Sequence, residues 1–159
     1  MFINLFLGVA TMTLCLLLQL ALLTRALIYY SRHHTKLEHA SFLGTLAILN
    51  AVMFLLMFGN LGQVAIWACL FRFVGEFDSY RTAFYHSAVN FATLGYGDIV
   101  MSENYRLLGP IQAMNGVLMV GVSTAAFMTT LRDAVQHNTR VWVAKQALKE
   151  KKGHPKVPS

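Results

Sequence analysis

Three apolar runs, at residues 2–28, 40–73 and 107–131, limit what this chain can fold into. Each exceeds the roughly 20 residues that a helix needs to cross the hydrocarbon layer of a bilayer. With 56% of its residues hydrophobic and 13% charged, the chain lies outside the composition of soluble domains. Backbone polar groups inside lipid must be satisfied within their own segment, so runs of this length imply helices. The expected fold class is an all-α membrane protein with three transmembrane helices. The first run reads as a retained span, because no basic flank precedes it and no small-residue cleavage site follows it, as a signal peptide requires. Cys15 and Cys69 both fall inside apolar runs and are expected as buried free thiols.

Basic residues gather on the cytoplasmic side of a membrane. Arg25, Arg32 and Lys36 follow the first run, and seven more lie from Arg132 to Lys156. Only Arg72, Arg81 and Arg106 occupy the region between the second and third runs, offset by Glu76, Asp78, Asp98 and Glu103. The amino terminus is therefore expected outside and the carboxyl terminus in the cytoplasm, in the plasma or inner cell membrane. The net charge of +6 is an orientation signal, and no nucleic-acid partner is needed to account for it.

Between the second and third runs stands "SYRTAFYHSAVNFATLGYGD". Its part from residue 80 to 92 is too apolar for an exposed loop, and as a helix it reaches only about 20 Å, part of a bilayer's depth. The glycine-rich stretch that follows would carry the chain back out. Irregular backbone at membrane depth survives only where protein or a water-filled cavity surrounds it, so this segment implies a pore or a binding site.

The hexapeptide "TLGYGD", Thr93 to Asp98, resembles the selectivity-filter signature of potassium channels, Thr-Val-Gly-Tyr-Gly-Asp, with Leu94 in place of valine. The resemblance covers residues 40–132: an outer helix at 40–74, a pore helix at 80–92, a filter at 93–98 and an inner helix at 107–132. Residues 1–30 form an additional N-terminal transmembrane helix, 31–39 a basic cytoplasmic loop and 133–159 a basic cytoplasmic tail. The resemblance implies K+ ions as permeant ligand, held by the backbone carbonyls of Thr93, Leu94, Gly95 and Tyr96 and the Thr93 hydroxyl. Rings of carbonyls replace the waters that a dehydrated ion loses. Gly95 and Gly97 allow carbonyl orientations that a Cβ would resist. One such motif without an internal repeat implies a homotetramer. The function expected is passive, potassium-selective conduction with no organic cofactor and no catalysed reaction. A pore subunit of a potassium transporter and a non-conducting membrane scaffold are the alternatives.

Relatives carry threonines ahead of the filter, where this chain has Asn90, Phe91 and Ala92; Asn90 is expected to take over one hydrogen-bonding role. Relatives also tie the filter aspartate to aromatic residues of the pore helix. Here Tyr85 and His86 stand in that region, and Asp98 either bonds Tyr85 or faces water. His86 either makes the filter sensitive to pH or packs as a neutral ring. On the inner helix, Gly116 occupies the hinge position of the family, and close helix packing is its other reading. Val117, Val120, Thr124 and Met128 share one face, which the resemblance directs toward a central cavity. Asn115 is expected to bond a neighbouring helix, as are Asn50, Asn60 and Gln63.

No array of basic residues at every third position marks a voltage sensor. The first helix therefore reads as a peripheral packing element. The tail carries Val135, Val141, Trp142, Ala147 and Leu148 among its basic residues, which suits a helix on anionic lipid, a short four-chain bundle or a solvated segment. His33, His34, His39 and Glu38 read as a polar interfacial loop rather than a metal site. The second run is long enough that it either extends past the bilayer or breaks near Gly59.

Overall fold

The computed structural model describes residues 2–34 and 42–153. Among these residues there are four α-helices, α1 (Phe2–His34), α2 (Phe42–Phe73), α3 (Tyr80–Phe91) and α4 (Leu108–Gly153), and no β-sheet; between α3 and α4 residues 93–98 run as a single irregular strand paired with no other. Three are long and apolar enough to cross a membrane, over Phe2–Arg32, Leu43–Phe73 and Leu108–Gln136. The all-α membrane architecture expected from the apolar runs is the one observed.

Local sequence accounts for these boundaries. Pro110, the one proline among the described residues, sits in the first turn of α4, where its missing N–H costs no helical bond. α4 then continues to Gly153, past the end expected at residue 132. Residues 133–152 contain neither glycine nor proline and are rich in lysine and alanine, so nothing stops the helix. Val135 and Trp142 are exposed on it, whereas the side chains of Val141, Ala147 and Leu148 lie outside the described residues. The side chains of His33, His34, His39 and Glu38 lie outside them too.

α2 runs unbroken through Gly59, with 32 residues that span about 48 Å. Gly59 serves packing: a Cβ there would come within 2.6 Å of Leu22 Cδ1 on α1. At one end of the molecule the Asn4 amide of α1 donates to the Asn104 carbonyl at 2.6 Å, in the loop that leads into α4. At the other end the Tyr30 hydroxyl donates to Asp133 at 3.0 Å. α1 thus runs alongside α4, and α2 returns between the two ends.

Three apolar clusters fill these layers, the smallest of them formed by Val64, Phe91 and Met119. Cys15, Trp67, Phe71, Phe77, Ala83 and Leu108 pack behind α3, and Ala26, Tyr30, Leu49, Val52, Leu56 and Ala134 pack near the opposite end. Cys15 is buried as expected, but Cys69 is exposed. The correction has a simple geometric cause: an apolar run gives no sign of which helix faces turn outward, and the neighbours of Cys69 on the inner face, Trp67, Ala68 and Phe71, take the buried positions.

Candidate functional site

α3 has 12 residues, about 18 Å of helix, and enters only part of the depth of its neighbours. Polar side chains lock it in place. The Ser87 hydroxyl donates to the Val64 carbonyl of α2 at 2.7 Å, and Gln112 of α4 donates through Nε2 to the Ser87 carbonyl at 3.0 Å and to its Oγ at 2.5 Å. All three residues sit away from solvent, with Ser87 and Gln112 fully buried.

The carboxyl end of α3 passes directly into the glycine-rich stretch through a Schellman turn. The Leu94 N–H bonds the Val89 carbonyl and the Thr93 N–H bonds the Asn90 carbonyl, both at 2.9 Å. The residue between helix and strand in such a turn adopts positive φ and is usually glycine. Here it is Thr93, with φ of 58°, the one non-glycine residue at positive φ among those described. A β-branched residue there costs about 1–2 kcal/mol, so the strain is local and specific. Gly95 at φ 55° and Gly97 at φ 74° continue the pattern at every second position. The sequence reading assigned this conformational demand to the two glycines and missed Thr93. A helix end with no glycine at its C′ position was the available signal.

Residues 92–98 are exposed along their whole length, with Leu94 at 54% and Tyr96 at 64%. A cleft of 530 Å³ runs behind the strand, bounded by Thr93, Gly95 and Gly97 on one side and His86, Asn90 and Arg106 on the other. The strand is tied to α3 at its carboxyl end by two side chains. The Tyr85 hydroxyl donates to Asp98 Oδ2 at 2.8 Å, and this bond, with some loss of hydration and the carboxylate charge, pushes the phenol above its ordinary pKa. His86 Nδ1 lies 3.0 Å from the Ile99 carbonyl and its Nε2 lies 2.9 Å from the Asn90 amide nitrogen. A carbonyl only accepts, so Nδ1 carries the proton and Nε2 accepts from Asn90. The ring is 7% exposed and stacks edgewise on Phe71 and at a tilt on Phe77. Burial pushes its pKa below the usual histidine value, while the Ile99 carbonyl, Asp98 and Glu76 pull it back. Glu76 in turn accepts from the Ser102 N–H at 2.7 Å and from its hydroxyl at 2.5 Å, fastening the loop after the strand.

On α4, Val117, Val120, Thr124 and Met128 are exposed, at 61% for Val117 and 55% for Met128. Gly116, by contrast, is buried against α3: a Cβ on it would run into the Phe91 carbonyl oxygen and lie 2.9 Å from the Phe91 carbonyl carbon. α4 shows no break at this residue. Asn115 is fully buried; its side chain faces the Cys15 thiol of α1, its one polar interaction with a neighbouring helix among the described residues, and neither amide atom makes a hydrogen bond of ordinary geometry. Gln63 does reach a neighbouring helix and Asn60 Oδ1 comes within 3.3 Å of Ser123 Oγ on α4, whereas Asn50 stays exposed.

A half-depth helix, an exposed strand of alternating backbone hand and a flanking long helix thus occupy consecutive segments. A family model described as an ion channel matches residues 54–133, half of the chain. The chain belongs to the ion channel family. The match runs from within α2 through α3 and the strand to Asp133 of α4, so it contains the whole site and leaves out α1. No curated protein and no solved structure matches the chain. As an ion channel, the protein is a membrane protein whose three apolar helices carry the spans.

Proposed function

We propose that four copies of this channel chain surround one pore and let K+ pass down its gradient. The observation that carries the reading is the positive φ at Thr93, Gly95 and Gly97 in an exposed strand. A uniform extended strand turns successive residues to opposite faces. Inverting the backbone hand at every second residue cancels that alternation and favours carbonyls directed to one side. The carbonyls of Thr93, Leu94, Gly95 and Tyr96 are the ion ligands in this reading, with the Thr93 hydroxyl below them. One chain supplies one wall of the ladder, and three further copies close the ring.

The row Val117, Val120, Thr124 and Met128 lines the cavity beneath the filter, which accounts for apolar side chains left uncovered in the single chain. The amino terminus is outside and the basic end of α4 is cytoplasmic, next to anionic lipid. Flux assays on the purified protein in liposomes test this reading. Potassium passing far faster than sodium, with no requirement for nucleotide or a coupling ion, is the expected result. Flux that depends on a coupling ion would make the protein a transporter subunit, and no flux at any voltage, pH or lipid composition would leave a scaffold.

A further inference from the structure

We infer that α1 is a brace that holds the pore-lining helix α4 in its resting position, with Gln19 as the positioning residue; this rests on the proposed conduction along α4. α1 lies outside the family match, so the pore elements do not call for it. It is nevertheless joined to α4 and its approach at three levels: Asn4 to Asn104, Gln19 to Ser123 and Tyr30 to Asp133. A merely peripheral anchor in lipid would need no such polar contacts.

The middle link is the informative one. Gln19 is fully buried at the centre of a membrane-spanning helix. Its Oε1 accepts from Gln63 Nε2 of α2 at 2.7 Å, and its Nε2 donates to Ser123 Oγ of α4 at 2.7 Å. Ser123 has one proton, and the Met119 carbonyl at 2.8 Å takes it in preference to Asn60 Oδ1 at 3.3 Å. The chain of donors therefore runs in one direction, from Gln63 through Gln19 and Ser123 to Met119. Gly59 lets α1 approach closely enough for this, with Leu22 seated over it.

Ser123 immediately precedes Thr124 of the exposed row that includes Val120 and Met128. A slide of α4 by one residue along its axis, about 1.5 Å, or a rotation of similar size, breaks the Gln19 link and strands a buried amide where no water can replace the partner. α4 thus has one arrangement in which this polar seam is closed, and α1 supplies the penalty for leaving it.

The full-length protein in planar bilayers and liposomes tests the brace. Gln19→Leu and Ser123→Ala should each raise the ratio of open to closed channel about three- to tenfold for each copy of the link lost, the factor corresponding to one interhelical hydrogen bond at membrane depth. Unitary conductance and potassium preference should not change. Gln63→Leu should act less, because Gln19 keeps Ser123. In parallel, nitroxides at Met53→Cys and Met128→Cys, in a Cys69→Ser background with labelled copies diluted among unlabelled ones, report the position of α4 within one chain. Their distance should shift or broaden on Gln19→Leu and on Ser123→Ala. Unchanged distances with unchanged open probability overturn the brace, as does an effect of Gln63→Leu equal to that of Ser123→Ala, which would mean general packing. If the wild-type protein passes no current, the conduction reading fails while the label distances still decide the brace. Ser123→Ala, which removes a single oxygen, serves if Gln19→Leu does not fold.

Discussion

The strand after α3 and the seam between α1, α2 and α4 are both polar, yet they are built in opposite ways. In the seam, Gln19, Gln63 and Ser123 are buried and joined to one another within one chain. In the strand, residues 92–98 are exposed, and the tethers through Tyr85 and His86 reach only its carboxyl end. Leaving peptide groups open costs several kcal/mol per group inside lipid. A single chain thus completes its seam but not its strand. The difference teaches that α1 is a finished part of the subunit, whereas the strand is left open in the single chain, as the proposed four-copy pore requires.

The largest effect is expected where the strand is most demanding. Gly95→Ala meets no atom of its own chain within 4 Å, so within the subunit its cost comes from φ, about 1–2 kcal/mol per chain and four times that in a tetramer. Potassium-selective flux should be lost while the protein still folds and extracts as the wild type does. Selectivity retained in Gly95→Ala would remove the carbonyl ladder as the basis of conduction.

Next in size is Gly116→Ala, which probes the boundary between strand support and pore lining. The new Cβ would collide with the Phe91 carbonyl, and overpacking of this kind typically costs about 1–3 kcal/mol. A lower melting temperature of the solubilised protein is expected, together with loss of flux. If Gly116 acted as a hinge instead, the alanine variant would melt like the wild type and differ only in gating.

How much of this was legible in the sequence depended on whether a feature was periodic or three-dimensional. The spans, the half-depth α3 and the place of the strand followed from run lengths and from the glycines at 95 and 97, because bilayer thickness translates directly into residue number. The meeting of Tyr85 with Asp98 was one of two open readings, and only coordinates bring the two groups to 2.8 Å. Gly116 and Gly59 carry no mark that separates a hinge or a break from a close contact; that distinction lies in Phe91 and Leu22, distant in sequence. The Gln19 link joins residues 104 positions apart and left no pattern to read. The exposure of Cys69 was hidden for the same reason, since α2 is apolar all round.

Thr93→Gly should produce a smaller change, in two directions at once. Glycine relieves the positive φ of the Schellman turn, so the melting temperature should rise, by the equivalent of about 1 kcal/mol per chain. The same change removes the hydroxyl assigned to the innermost ion site, so potassium preference over sodium should fall. A variant that is both more stable and equally selective would show that the threonine side chain does not touch the ion. A variant that is less stable would mean that the hydroxyl supports the turn itself.

The smallest effect concerns the tether at His86, and its sign follows from the hydrogen bonds. The ring is neutral in the fold, donating from Nδ1 to Ile99 and accepting at Nε2 from Asn90. A second proton on Nε2 faces the Asn90 amide hydrogens, so protonation must turn that amide or separate the pair. Because burial lowers the pKa of His86 in the folded protein, the stabilisation is fully present above the ordinary histidine pKa and is lost as pH falls through the depressed value. The Ile99 carbonyl, Asp98 and Glu76 limit the shift by favouring the cation. Acidification below the ordinary histidine range should therefore reduce current and lower the melting temperature together, without a matching loss on the alkaline side near neutrality. His86→Gln keeps a donor and an acceptor but cannot titrate, so it should flatten this acid limb and leave the current at neutral pH close to wild type. An acid limb that survives in His86→Gln would transfer the sensitivity to the carboxylates, Asp98 and Glu76, and would leave the ring as packing between Phe71 and Phe77.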